Sequence, residues 1–170
     1  MVLKEERQGV EKKFFELSEK VVVAEGLKLY DMDYFPGNGE WRIFIYNEGT
    51  DTAVIEDCVR VDKALTPYVE ELDWMPENLV LQVSSPGIDR ALRTKVHFER
   101  VVGKNVKLAL VKRLDSVLFP GLPKSLKGEK KVVAKLLSLN DDGLTLSYRE
   151  GFSFFLSFAD IKKANQEPDL

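Results

Sequence analysis

Side chains that attack an electrophile or move a proton at neutral pH are scarce in this chain. There is one histidine, His97, and one cysteine, Cys58. A nucleophile needs a base within hydrogen-bond reach before it becomes reactive. Cys58 falls on the apolar stripe of a predicted helix and His97 stands beside Phe98 in a short one, positions that suit packing. The hydroxyls of Ser84 and Ser85 leave one catalytic alternative, a hydrolase acting through either serine with a neighbouring lysine. No phosphate-binding glycine loop, dinucleotide fingerprint or serine-hydrolase elbow accompanies them. The reading is of a protein that is not an enzyme, with no catalytic residues. One His and one Cys supply no zinc set, and the acids lack calcium-loop spacing, so no metal and no cofactor are expected.

Ionic chemistry is where the residues are plentiful. The net charge of -3 hides two halves: residues 1–92 hold 10 Lys or Arg against 19 Asp or Glu, and residues 93–170 hold 15 against 9. Opposite surfaces of this kind suit different partners, phosphate for the basic one and a cationic protein for the acidic one. From Arg90 to Arg113 the cations are Arg90, Arg93, Lys95, Arg100, Lys104, Lys107, Lys112 and Arg113, with Glu99 the only acid among them. Lys124, Lys127, Lys130, Lys131 and Lys135 follow. Contacts of such groups with RNA phosphates release condensed counterions, so binding should weaken steeply with salt. The acidic half offers Asp31, Asp33, Glu56, Asp57, Asp62, Glu70, Glu71 and Asp73, either a solvated face or one that meets a basic protein. Among the aromatics, alternation assigns Phe152, Phe154 and Phe158 to a core in preference to base stacking.

The sign of the charge changes at Ser84-Ser85-Pro86-Gly87-Ile88-Asp89-Arg90. Pro86 pre-sets its φ and Gly87 tolerates a positive one, so Ser85 to Ile88 suits a type II turn. Two readings stand. In one, Ser84, Ser85 and Asp89 only satisfy local backbone groups or pair with Arg90 or Arg93. In the other, the turn holds Arg90 and Arg93 in place and sets the angle between two binding surfaces.

These residues need elements to position them. Val10, Phe14, Leu17 and Val21 recur at helical spacing, and Gly26 offers a stop. Residues 27–35 alternate as a strand, Pro36-Gly37-Asn38-Gly39 turns the chain, and residues 41–46 return as its hairpin partner. Asp51 or Thr52 caps a second helix that buries Cys58, Val61, Leu65 and Val69 and that Pro67 kinks or ends. Residues 79–84 form a third strand. The order predicts an α+β fold: a three-stranded sheet packed with two helices, residues 1–92. A short helix over 96–102 ends at Gly103. Five short strands, 105–111, 132–139, 144–148, 152–157 and 161–164, then predict a small β-barrel over residues 93–170, with a long loop at 113–131. The longest apolar stretch of the first helix, residues 21–24, cannot span a bilayer, so no membrane is expected. With no disulfide possible inside the chain, the expected compartment is the reducing cytoplasm.

Four stretches stand out together: Ile55-Glu56-Asp57-Cys58, Leu81-Gln82-Val83-Ser84-Ser85-Pro86-Gly87-Ile88-Asp89-Arg90, Phe98-Glu99-Arg100-Val101-Val102-Gly103, and Ile161-Lys162-Lys163-Ala164-Asn165. Through them the chain resembles the ribosome maturation factor RimP family over nearly its whole length. The resemblance implies an SH3-like or Sm-like barrel for the carboxy-terminal part and binding to the immature small ribosomal subunit without a reaction. The expected partners are ribosomal RNA and a basic ribosomal protein, met by a monomer. The candidate binding residues are Ser85, Pro86, Gly87, Asp89, Arg90, Arg93, Lys95, Lys104, Lys107, Lys130 and Lys131. The alternative is a general RNA-binding regulator of translation. Two features depart from the family: Ala91 replaces the usual proline, predicting a less stiff linker, and the 113–131 loop is longer. Its apolar stretch Val117-Leu118-Phe119-Pro120 needs cover from its own barrel or another molecule.

Overall fold

In the computed structural model, which describes residues 1–149 and 151–168, the chain forms two compact units. One is Glu6–Gly87; the other begins at Ile88 and also takes in Met1–Glu5.

The first unit runs α1 (Gly9–Ala24), β1 (Lys28–Phe35), β2 (Glu40–Tyr46), α2 (Ile55–Glu71) and β3 (Val80–Ser84). The sheet order is β1-β2-β3. A tight turn joins β1 to β2 antiparallel, whereas the α2 crossover brings β3 back parallel to β2. Trp41, Ile43 and Ile45 alternate inward along β2 and meet Phe14, Leu17, Val21 and Val22 of α1 and Val61 and Leu65 of α2. Phe14 packs against Tyr34, Trp41 and Trp74 at ring distances of 4.5, 4.6 and 5.2 Å. Val10, expected on the buried face of α1, is exposed.

Strict alternation fails in β1. A bulge between Leu29 and Asp31 resets the pleat, so that Leu29 and Met32 both pack on the core. The displaced Asp31, expected on the acidic surface, is 4% exposed. Its carboxylate accepts from Arg7 Nη2 at 2.9 Å and from the Met32 N–H at 2.8 Å, the partners a buried charge requires. The second helix starts later than Asp51 or Thr52. Val54 stands at its cap, and the Asp57 carboxylate accepts the Val54 N–H at 3.2 Å. Pro67 lies inside the helix, which continues to Glu71, so no early end occurs there. Packing of α2 on the sheet outweighs the single backbone bond that proline forgoes.

The second unit consists of α3 (Lys95–Arg100) followed by β4 (Asn105–Leu110), β5 (Lys131–Leu139), β6 (Gly143–Tyr148), β7 (Phe152–Ser157), a 3-10 turn at Phe158–Asp160, and β8 (Ile161–Gln166). The strands form an antiparallel sheet in the order β7-β6-β5-β4-β8. Thr94 caps α3 by accepting the His97 N–H, and His97 Nδ1 accepts the Arg93 N–H at 2.9 Å. His97 is thus a buried structural acceptor. Among the described residues no ladder joins β7 to β8, so the expected barrel is an open five-stranded sheet in its hydrogen bonding. It packs on one core that includes Leu92, Phe98, Leu108, Leu136, Leu146 and, from the start of the chain, Val2.

The long loop folds back on this core. Leu114 and Leu126 are buried, and the Leu114 N–H bonds to Glu129 O at 2.9 Å. The apolar stretch divides: Phe119 meets Phe154 edge-on at 5.7 Å, while Val117 and Leu118 remain exposed.

Candidate nucleic-acid interface

In a strand, alternate side chains leave by opposite faces, and the ladder register decides which residues become neighbours. The outward residues of β8, β4 and β5 line up in rows. Lys163, Ala109 and Lys131 form one row, and Asn165, Lys107 and Val133 the next. Asn105 and Lys135 form a third, which continues through Ser147 to Ser153. Lys107, Lys131, Lys135 and Lys163 are all exposed. No two lysines stand directly opposite each other. Lys107 stands diagonal to Lys131, Lys135 and Lys163 on the neighbouring strands, about 7–8 Å from each, close enough for their fields to add within a Debye length of about 8–10 Å. None of the four has a carboxylate within ion-pairing distance among the described residues. The row of Ser138, Thr145 and Phe155 borders the lysines. Phe155 is 42% exposed while Phe154 and Phe158 are buried, as alternation required, and its ring leans over Gly143, away from the lysine rows.

Of the residues singled out from sequence, Lys107 and Lys131 enter this face. Lys130 and Lys104 are exposed near it; the Lys130 carbonyl accepts the Leu110 N–H and the Lys104 carbonyl accepts the Leu136 N–H. Lys95 does not join them, since its Nζ pairs with Asp141 at 2.9 Å. The junction behaves differently again. Asp89 O accepts from Asn165 Nδ2, Arg90 O accepts the Gln166 N–H, and the Leu92 N–H bonds to Ala164 O, all at 2.9 Å. Residues 89–92 therefore run along the outer edge of β8. This pairing turns Arg90 inward to 8% exposure, which takes its side chain away from any external phosphate. It also holds Ala91, bridged to Asn165, by backbone bonding. Arg93 is half-buried, and its carbonyl accepts the Lys4 N–H at 2.9 Å. Ser85, Pro86 and Gly87 belong to the first unit, where Gly87 adopts φ 86° as its turn requires. Sequence reasoning set Lys135 in a loop-associated series and did not weigh Lys163; strand register was the missing signal.

Nothing in this arrangement resembles a catalytic constellation. Cys58 and His97 lie in different units. Burial, helped by the Asp57 carboxylate, pushes the Cys58 thiol above its ordinary pKa, the reverse of activation. No group of three or more His, Cys, Asp or Glu among the described residues is arranged to hold a metal.

Residues 17–89 match the family model of the RimP N-terminal domain. That segment is a RimP N-terminal domain. It covers the first unit from the middle of α1 to just past β3. The family so matched is one of ribosome maturation factors, which act without catalysis and associate with the small ribosomal subunit. The lysine face lies outside the RimP match, so its assignment rests on geometry. No helix among the described residues is long and apolar enough to cross a membrane.

Proposed function

We propose that this chain is a cytoplasmic, monomeric ribosome maturation factor that binds the immature small subunit and assists its assembly. The observation that carries this reading is the unpaired lysine face joined in one chain to a RimP domain. Lys107, Lys131, Lys135 and Lys163 grip ribosomal RNA phosphates, with Lys104 and Lys130 at the margin. The first unit, with 17 acidic against 8 basic residues over 6–87, meets a basic ribosomal protein and is repelled by RNA. Ser85, Pro86 and Gly87 shape the chain where it leaves β3. A factor that binds one conformation of the unfinished particle better than the finished one favours that conformation and leaves when it is lost. Co-sedimentation with immature and mature small subunits tests this: binding to the immature particle should exceed binding to the mature one. Equal binding to both, or to neither, overturns it.

The exposed ring of Phe155, on the sheet that carries the lysines, favours one other reading, a regulator that binds single-stranded messages by stacking and charge. Crosslinked RNA should be ribosomal; a predominance of messenger RNA selects the regulator.

A further inference from the structure

Helix α2 has two apolar stripes. Val61 and Leu65 are buried against the sheet. Ile55, Cys58 and Val59, spaced i, i+3 and i+4, run along another side and overlook β3, with Asp62 and Lys63 at the end of the stripe. Ile55 is 79% exposed, and Val54 and Val59 are exposed with it. Together with Val83, Ser84 and Ser85 they wall a groove of about 570 Å³. Its floor is the open side of an edge strand. The Val80 N–H bonds to Gly39 O, toward β2. Backbone groups alternate sides along a strand, so the N–H and C=O of Leu81 and Val83 point away from β2, where no strand of the described residues pairs with them. An apolar wall beside a row of unpaired backbone donors and acceptors is the arrangement that accepts an added strand.

We infer that this groove takes an extended segment of a cationic protein, added beside β3 with alternate apolar side chains lodged against Ile55, Val59 and Val83. Charge selects this occupant. The unit carries 17 acids against 8 bases; at the groove itself Asp62 and Lys63 both line the wall, so the preference for a cationic segment comes from the field of the whole unit. A polyanion is repelled there, and so is a second copy of the same acidic unit. Five residues of β3 span about 17 Å, enough to register a short strand with two or three side chains facing the groove. The inference rests on the proposed function and gives its basic protein partner a place.

Cys58 lines the groove and is the only cysteine, so its alkylation by iodoacetamide at fixed pH reports occupancy. A ten-residue peptide of alternating valine and lysine should bind and slow that alkylation at least tenfold at saturation; an alternating valine–glutamate peptide should do neither. Ile55→Lys, at a site with no buried contact to lose, should weaken the valine–lysine peptide at least tenfold. Val83→Pro removes the outward N–H while sparing the bonds to β2 and should weaken it likewise. Equal protection by both peptides, or unchanged binding to Ile55→Lys, overturns the inference. If the peptide fails while the full chain still sediments with immature subunits, the groove assignment falls and the proposed function stands. If the chain does not sediment with them, the proposed function falls whatever the peptide does.

Discussion

Replacing Lys107, Lys131, Lys135 and Lys163 together by alanine should remove most of the salt dependence of RNA binding. All four are exposed and without ion-pair partners among the described residues, so their loss leaves no buried group unsatisfied. Stability should hold or rise slightly, because diagonal like charges are relieved. Each phosphate contact contributes about -0.7 to -0.9 to the slope of log affinity against log salt, so losing four should flatten it by roughly 3. Between about 50 and 200 mM salt, that share alone corresponds to roughly 60-fold in affinity for the intact chain. The measurement is anisotropy of a labelled ribosomal RNA fragment over a potassium chloride series, with a thermal melt of each variant. Lys95→Ala is the control: its cation is already paired with Asp141 and lies outside the rows, so the slope should change by less than one contact's worth. A folded quadruple variant with an unchanged slope would refute the phosphate role. So would a Lys95 variant that flattens the slope as much as the quadruple.

Gly143→Ala should destabilise the second unit by about 1–3 kcal/mol or more, since the new methyl group meets the Leu156 carbonyl and the Ser157 backbone across the β6–β7 ladder; urea unfolding monitored by amide exchange in β6 checks it. Alkylation of Cys58 should keep accelerating with rising pH past the range in which an ordinary thiol levels off, because its raised pKa keeps part of it in the unreactive protonated form to higher pH; a rate that levels off within the ordinary thiol range, or below it, would contradict this. Deleting Met1–Glu5 removes the buried Val2 side chain, worth about 1.5–3 kcal/mol, and the Lys4 bond to Arg93. Exchange at the Leu92 amide should speed up, while the fluorescence transition of Trp41 and Trp74, both in the other unit, should stay in place.

The elements were largely legible because their signals are local. Phe152–Ser157 has the bounds that alternation predicted, and Asn140 to Gly143 turns the chain between β5 and β6, with Asn140 Oδ1 accepting the Asp142 and Gly143 N–H groups at 2.8 and 3.0 Å. Packing residues were legible for the same reason: Val61 and Leu65 in α2, and Phe154 in β7, follow from period alone. The bulge at Tyr30 was not, because one inserted residue leaves composition untouched while flipping every side chain beyond it.

By itself the sequence determined that the chain is α+β and that basic residues outnumber acidic ones after residue 92. These follow from spacing and composition, which need no knowledge of distant neighbours. Tertiary structure alone decided that Met1–Glu5 joins the second unit, that residues 89–92 lie along β8 and bury Arg90, and that Lys107, Lys131, Lys135 and Lys163 share one face. Each is a pairing between segments far apart in the chain. Its register is set by the summed packing and hydrogen bonding of a whole sheet, a quantity that no single stretch of residues contains.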